Sequence, residues 1–108
     1  MAKKSDRDVV DPSRSVRDVF YPKGRKRGLI VRFQVDYSRA GNLLRYSLSL
    51  IDLSNSIGNG RIVGYDNAHG KHHRHYFGRV DSVEFESYEK LESQFEAQVR
   101  RYLETGTC

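Results

Sequence analysis

An α+β domain of two layers, an antiparallel meander of about four strands packed by a C-terminal amphipathic helix, is the fold class this sequence predicts. Three observations carry that expectation. Apolar residues recur at every second position through Leu29, Val31, Phe33, Val35 and Tyr37. Clusters of Gly, Asn and Ser cut the middle of the chain into short runs, and after Ser87 the apolar spacing lengthens to that of a helix.

Residues 1–27 read as a basic, flexible N-terminal arm, and residues 28–105 as a single domain. The arm mixes charges with scattered apolar residues, holds both prolines, Pro12 and Pro22, and closes on Lys23, Arg25, Lys26 and Arg27 around Gly24. That run is a solvated linker or a phosphate-tracking patch. From Leu29 to Tyr37 the alternation describes a strand with one buried face. SRAGN then reverses the chain, and a second strand runs from Leu43 to about Leu53 with Leu44, Tyr46, Leu48 and Leu50 on one side. Ser54 to Gly60, SNSIGNG, is a loop by composition. A third strand, Arg61 to Asp66, turns through NAHGK into a fourth, His72 to Phe77. Beyond Gly78, RVDSVEF extends or bends the sheet and offers Val80, Val83 and Phe85 to the core. Ser87 suits an N-cap, because Tyr88, Leu91, Phe95, Val99 and Tyr102 or Leu103 follow as one helical stripe, and Gly106 is placed to end it.

Composition narrows the function classes. A chain of 108 residues has room for one modest core, and seven Tyr with five Phe argue that the core exists. Nineteen Lys and Arg against fourteen Asp and Glu leave a net charge of +5, which favours a polyanionic partner such as nucleic acid, or an acidic protein. The single cysteine, Cys108, rules out a disulfide framework and a Cys-based zinc site. No apolar run approaches a membrane span and MAKKSDRD lacks the apolar core of a signal peptide, so the cytoplasm is the expected location.

The densest chemistry lies in RIVGYDNAHGKHHRHYFG, which carries all four histidines. Strand alternation sends His73, His75 and Phe77 one way and His72, Arg74 and Tyr76 the other. Two imidazoles two residues apart reach one small ligand, with Asp66 on the neighbouring strand near the same place. Three chemistries compete there. As a metal site, His73, His75 and Asp66 make three ligands with an open position, but nothing else in the chain adds an obvious fourth. As an acid-base site, the imidazoles exchange protons near neutral pH while Arg74 or Lys71 neutralises a phosphate and Tyr76 assists. As a plain hairpin, the histidines and cations are solubilising residues, and Asp66 and Asn67 only shape the turn.

The motif itself resembles a known family. VGYDNAHGKHHRHYFG followed by VEFESYEKLESQFEAQV is similar to the C-terminal half of the TumE-like toxin family, in which a DN-x-x-GK hairpin runs into HRHY and an aromatic helix. The matching positions are Tyr65, Asp66, Asn67, Gly70, Lys71, His73, Arg74, His75 and Tyr76, then Phe85, Ser87, Leu91 and Phe95. Where the family often carries a Gly-Asp before HRH, this chain has only His72. The resemblance implies the toxin of a prokaryotic toxin-antitoxin pair, with an antitoxin protein as partner. Joined to the basic His/Arg/Lys hairpin, it leads to a metal-independent ribonuclease with no cofactor: His73 and His75 share proton transfer, Asp66 orients them, and Lys71, Arg74, Tyr76, Arg25, Lys26 and Arg27 bind RNA. The rival expectation is a non-catalytic module that holds nucleic acid or the antitoxin. An open sheet edge leaves room for a homodimer or an added strand.

Overall fold

The computed structural model describes residues 8–22, 28–55 and 60–106. Among them, six strands follow one another in chain order as one antiparallel sheet: β1 (Val16–Phe20), β2 (Leu29–Tyr37), β3 (Leu43–Asp52), β4 (Arg61–Asp66), β5 (His73–Tyr76) and β6 (Arg79–Ser82). One helix, α1 (Tyr88–Thr105), packs on one face, chiefly against β3 and β4. The two-layer α+β expectation holds, but the strand count is corrected from about four to six. Both additional strands are the edges of the sheet. β1 falls inside the segment expected to be an arm, and Arg25, Lys26 and Arg27 lie outside the described residues.

Register explains why the two faces differ. Val31 pairs with Leu50, Phe33 with Leu48 and Val35 with Tyr46; Leu48 in turn faces Tyr65 and Leu50 faces Val63. These residues share the helix side and, with Leu91, Phe95, Val99 and Tyr102 of α1, form the core. Phe95 is fully buried, with its ring edge-on to both Phe33 and Tyr65. Two hydroxyls tie the helix down: Tyr65 donates to Gln98 Oε1 at 2.8 Å and Tyr102 to the buried Asp52 carboxylate at 2.7 Å.

The helix ends where local chemistry allows. Ser87 caps it by accepting a hydrogen bond from the Lys90 N–H at 3.1 Å, and Gly106, left-handed at φ 75°, closes it by donating its N–H to the Tyr102 carbonyl. Between β5 and β6 the reversal needs only Phe77 and Gly78, both at positive φ (47° and 85°), the primed hairpin geometry that matches strand twist. Phe77 therefore leaves the alternation expected for it. Its ring turns towards Tyr102 in the core, not to the side of His73 and His75.

A break in the β3–β4 register, where Leu50 faces Val63 but Ile51 faces Arg61, adds one residue to β4. Ile62 and Val63 can then both be buried, while Arg61 turns to the helix-free side. Replacing Phe95 by Ala should cost about 3–5 kcal/mol, read from urea unfolding, because the ring leaves a cavity that the sheet cannot close.

Candidate active site on the helix-free face

Two rows of side chains cross the face that α1 does not cover. One runs through Arg17, Gln34, Ser47, Asp66, His73 and Ser82, the next through Val19, Arg32, Ser49, Gly64, His75 and Val80. Asp66 sits directly opposite His73, and His75 opposite Gly64. Glycine at position 64 gives that neighbourhood its room: a Cβ there would meet the Arg61 side chain at 2.9 Å and the Leu48 carbonyl at 3.2 Å. The Arg61 stem thus lies over Gly64, next to His75.

Asp66 gathers the two imidazoles. Its Oδ2 is 2.7 Å from His75 Nε2, and its Oδ1 is 3.6 Å from His73 Nδ1, an ion-pair distance too long for a direct hydrogen bond. Asp66 Oδ1 also accepts the Ala68 N–H at 3.0 Å. Asn67 fixes the strand end behind it by accepting the Tyr46 N–H on Oδ1 at 3.0 Å and donating Nδ2 to the Leu44 carbonyl at 3.1 Å. The Asp-Asn pair therefore both shapes the hairpin and presents the carboxylate to the imidazoles. All three side chains are partly exposed, 18 % for Asp66 and about a quarter for His73 and His75.

Burial opposes ionisation of Asp66, but the Ala68 N–H, the hydrogen bond with His75 and the charges of His75 and His73 together hold its carboxyl below the ordinary value. An ionised carboxylate only accepts. His75 must then carry a proton on Nε2, and among the described residues neither its Nδ1 nor the Nε2 of His73 has a hydrogen-bond partner. Arg17 and Arg45 on this face are paired with the buried Asp36 at 2.8 and 3.4 Å. Arg32 and Arg61 have no carboxylate partner among the described residues. No group of three His, Cys, Asp or Glu among those residues is arranged to hold a metal ion.

A family model described as Toxin TumE matches residues 3–103, nearly the whole chain. The chain belongs to the TumE toxin family. No curated protein and no solved structure matches it. Membership in this toxin family points to a toxin of the toxin-antitoxin type and so to an antitoxin as partner. Among the described residues no helix is long and apolar enough to cross a membrane.

The other histidine-strand residues of this TumE family toxin stand elsewhere. Arg74 and Tyr76 lie on the helix side; Arg74 reaches Asp81 at 3.5 Å, and its guanidinium sits 5.9 Å from the Tyr76 ring centre. Lys71 is exposed in the turn entering β5. His72 is structural: it stacks on Phe85 at 4.1 Å, and its Nδ1 lies 2.6 Å from the hydroxyl of Tyr46, whose ionisation burial pushes up to about 12. Arg32 and Arg61 escaped the sequence reading. A glycine inside the strand RIVGYD was the signal for Arg61, since it marks close approach of another group.

The lowered carboxyls give a pH prediction. A carboxyl whose folded pKa is depressed stabilises the fold fully above its unfolded value, 3.8, and loses that contribution as pH falls through the folded value. Urea midpoints should therefore drop below about pH 4, and Asp66→Asn should remove part of that drop while leaving Asp36's share.

Proposed function

We propose that this toxin is a metal-independent ribonuclease whose His73 and His75 exchange protons with the substrate under the control of Asp66. The observation that supports the reading most is one carboxylate meeting two imidazoles, at 2.7 and 3.6 Å, on a sheet face that also carries Arg61 and Arg32, which have no carboxylate partner among the described residues. In the proposed reaction a neutral imidazole, His75 through Nδ1, takes the proton of a ribose 2′-hydroxyl. The resulting oxygen attacks the adjacent phosphorus, and the bond from phosphorus to the 5′-oxygen breaks. Protonated His73 gives its Nε2 proton to that leaving oxygen, so a 2′,3′-cyclic phosphate and a 5′-hydroxyl form. Asp66 holds both rings in the required orientation and stabilises the imidazolium.

Negative charge on the phosphorane needs a cation that is not already occupied. Arg61, beside His75, fits that role on geometric grounds; Arg32, three strands from His75 in the same row, is proposed to hold the RNA further along this face. They take the place first given to Arg74 and Tyr76, whose side chains belong to the other face. Lys71, with Arg25, Lys26 and Arg27, is proposed to hold the RNA strand beyond the reacting phosphate.

His73→Ala and His75→Ala should each lower RNA cleavage by roughly a hundredfold to ten-thousandfold, measured on a fluorogenic oligonucleotide with chelator present, with melting temperature retained. Full cleavage by the double variant ends the proposal. Bound but uncut RNA with the wild-type protein would favour the non-catalytic nucleic-acid module instead. Arg61→Ala should slow cleavage by about 10²-fold or more with little change in KM, as expected for a group that acts on transition-state charge. An increase in KM alone would make Arg61 a binding residue.

A further inference from the structure

The helix side of the sheet is not fully covered. Because α1 packs chiefly on β3 and β4, a groove of about 520 Å³ opens between the helix and the β1–β2 edge. Its floor is apolar, built by Val31, Val35 and Val99, and its two banks carry Val16 of β1 and Leu103 of α1, each still 42 % exposed. Apolar side chains left open on opposite banks of one groove are unusual in a chain this polar and mark an interaction surface.

Charge makes the surface selective. Asp18, Glu92 and Glu96 line the same groove against Arg100, the one cation on its walls among the described residues, although the whole chain carries +5. Beside it β1 is the outer strand of the sheet, with one side of its backbone ladder unpaired by any described strand. Apolar floor, acidic banks and open strand edge describe one kind of occupant.

We propose that this groove docks the antitoxin through a segment carrying apolar side chains flanked by Lys or Arg. The apolar residues fill the floor between Val16 and Leu103, and the cations meet Glu92, Glu96 and Asp18. The basic helix-free face repels such a segment, so the acidic groove sets the side on which the antitoxin lands. This inference does not rest on the ribonuclease reading, because its readout is binding.

The test uses the full-length chain and the purified antitoxin encoded with it, by calorimetry at two salt concentrations. The double charge reversal Glu92→Lys, Glu96→Lys should weaken binding by on the order of tenfold or more and flatten its salt dependence, and Val16→Asp should weaken it similarly. Arg32→Ala, on the opposite face, should leave affinity unchanged. Unaltered affinity in the folded groove variants, or loss with Arg32→Ala alone, overturns the proposal. Amide exchange on the unmodified complex gives a second measurement: antitoxin should protect residues 16–20 and 92–103, and absence of protection there overturns it also. A chain that dimerises alone through this groove, dispersed by Val16→Asp, would assign the surface to a second copy and sink the antitoxin assignment.

Discussion

A single helix laid on one face of a six-stranded sheet constrains everything else in this molecule. Only one layer of apolar side chains can be buried, so the alternation of each strand must send its polar residues to the uncovered face. Phe95, buried against Phe33 and Tyr65, anchors that arrangement at its centre. The constraint also decides which histidine does what. His72 falls on the helix side, is enclosed by Tyr46 and Phe85, and becomes part of the packing. His73 and His75 fall on the other side, where about a quarter of each side chain stays exposed.

The site owes its precision to backbone geometry more than to its own contacts. Asn67 replaces a strand residue at the end of β4, joining its amide to the backbone of β3 at both atoms. That holds the turn, the turn presents the Ala68 N–H, and the N–H with His75 fixes the Asp66 carboxylate. On the other flank the extra residue in β4 turns Arg61 onto the helix-free face, and Gly64 leaves space for its stem. Rigid strands on both sides place the carboxylate, two imidazoles and a guanidinium with few flexible links between them.

What the sequence disclosed follows from which elements are covered. α1 was legible to its caps, since the Tyr88 to Tyr102 stripe, Ser87 and Gly106 are local signals read from a helix with one buried face. β2 and β3 were legible because the helix buries alternate residues along them. β1 was not, and β6 only as part of the RVDSVEF segment read as extending or bending the sheet: in VRDVF and RVDS both faces include charged or polar residues, because neither edge strand lies under the helix and no period of two survives. The common side of His73 and His75 followed from alternation alone. Their meeting with Asp66 required the pairing of β4 with β5, and the position of Arg61 required a bulge; neither has a local signature apart from Gly64.

Two aspartates on the same face show how environment separates structure from chemistry. Asp36 is almost fully buried and is held below the ordinary carboxyl range chiefly by the hydrogen bond from Arg17, with Ser15 and Arg45 adding to it against burial. Its partners include two guanidiniums, which do not give up their protons at any pH the protein meets, so the cluster joins β1, β2 and β3 and can do nothing else. Asp66 is also held ionised, but by a backbone N–H and two imidazoles, each with one nitrogen that has no hydrogen-bond partner among the described residues. An imidazole both takes and gives protons near neutral pH. The same carboxylate chemistry that locks one corner of the sheet therefore gathers two imidazoles at the other, the pair that the proposed proton transfer requires.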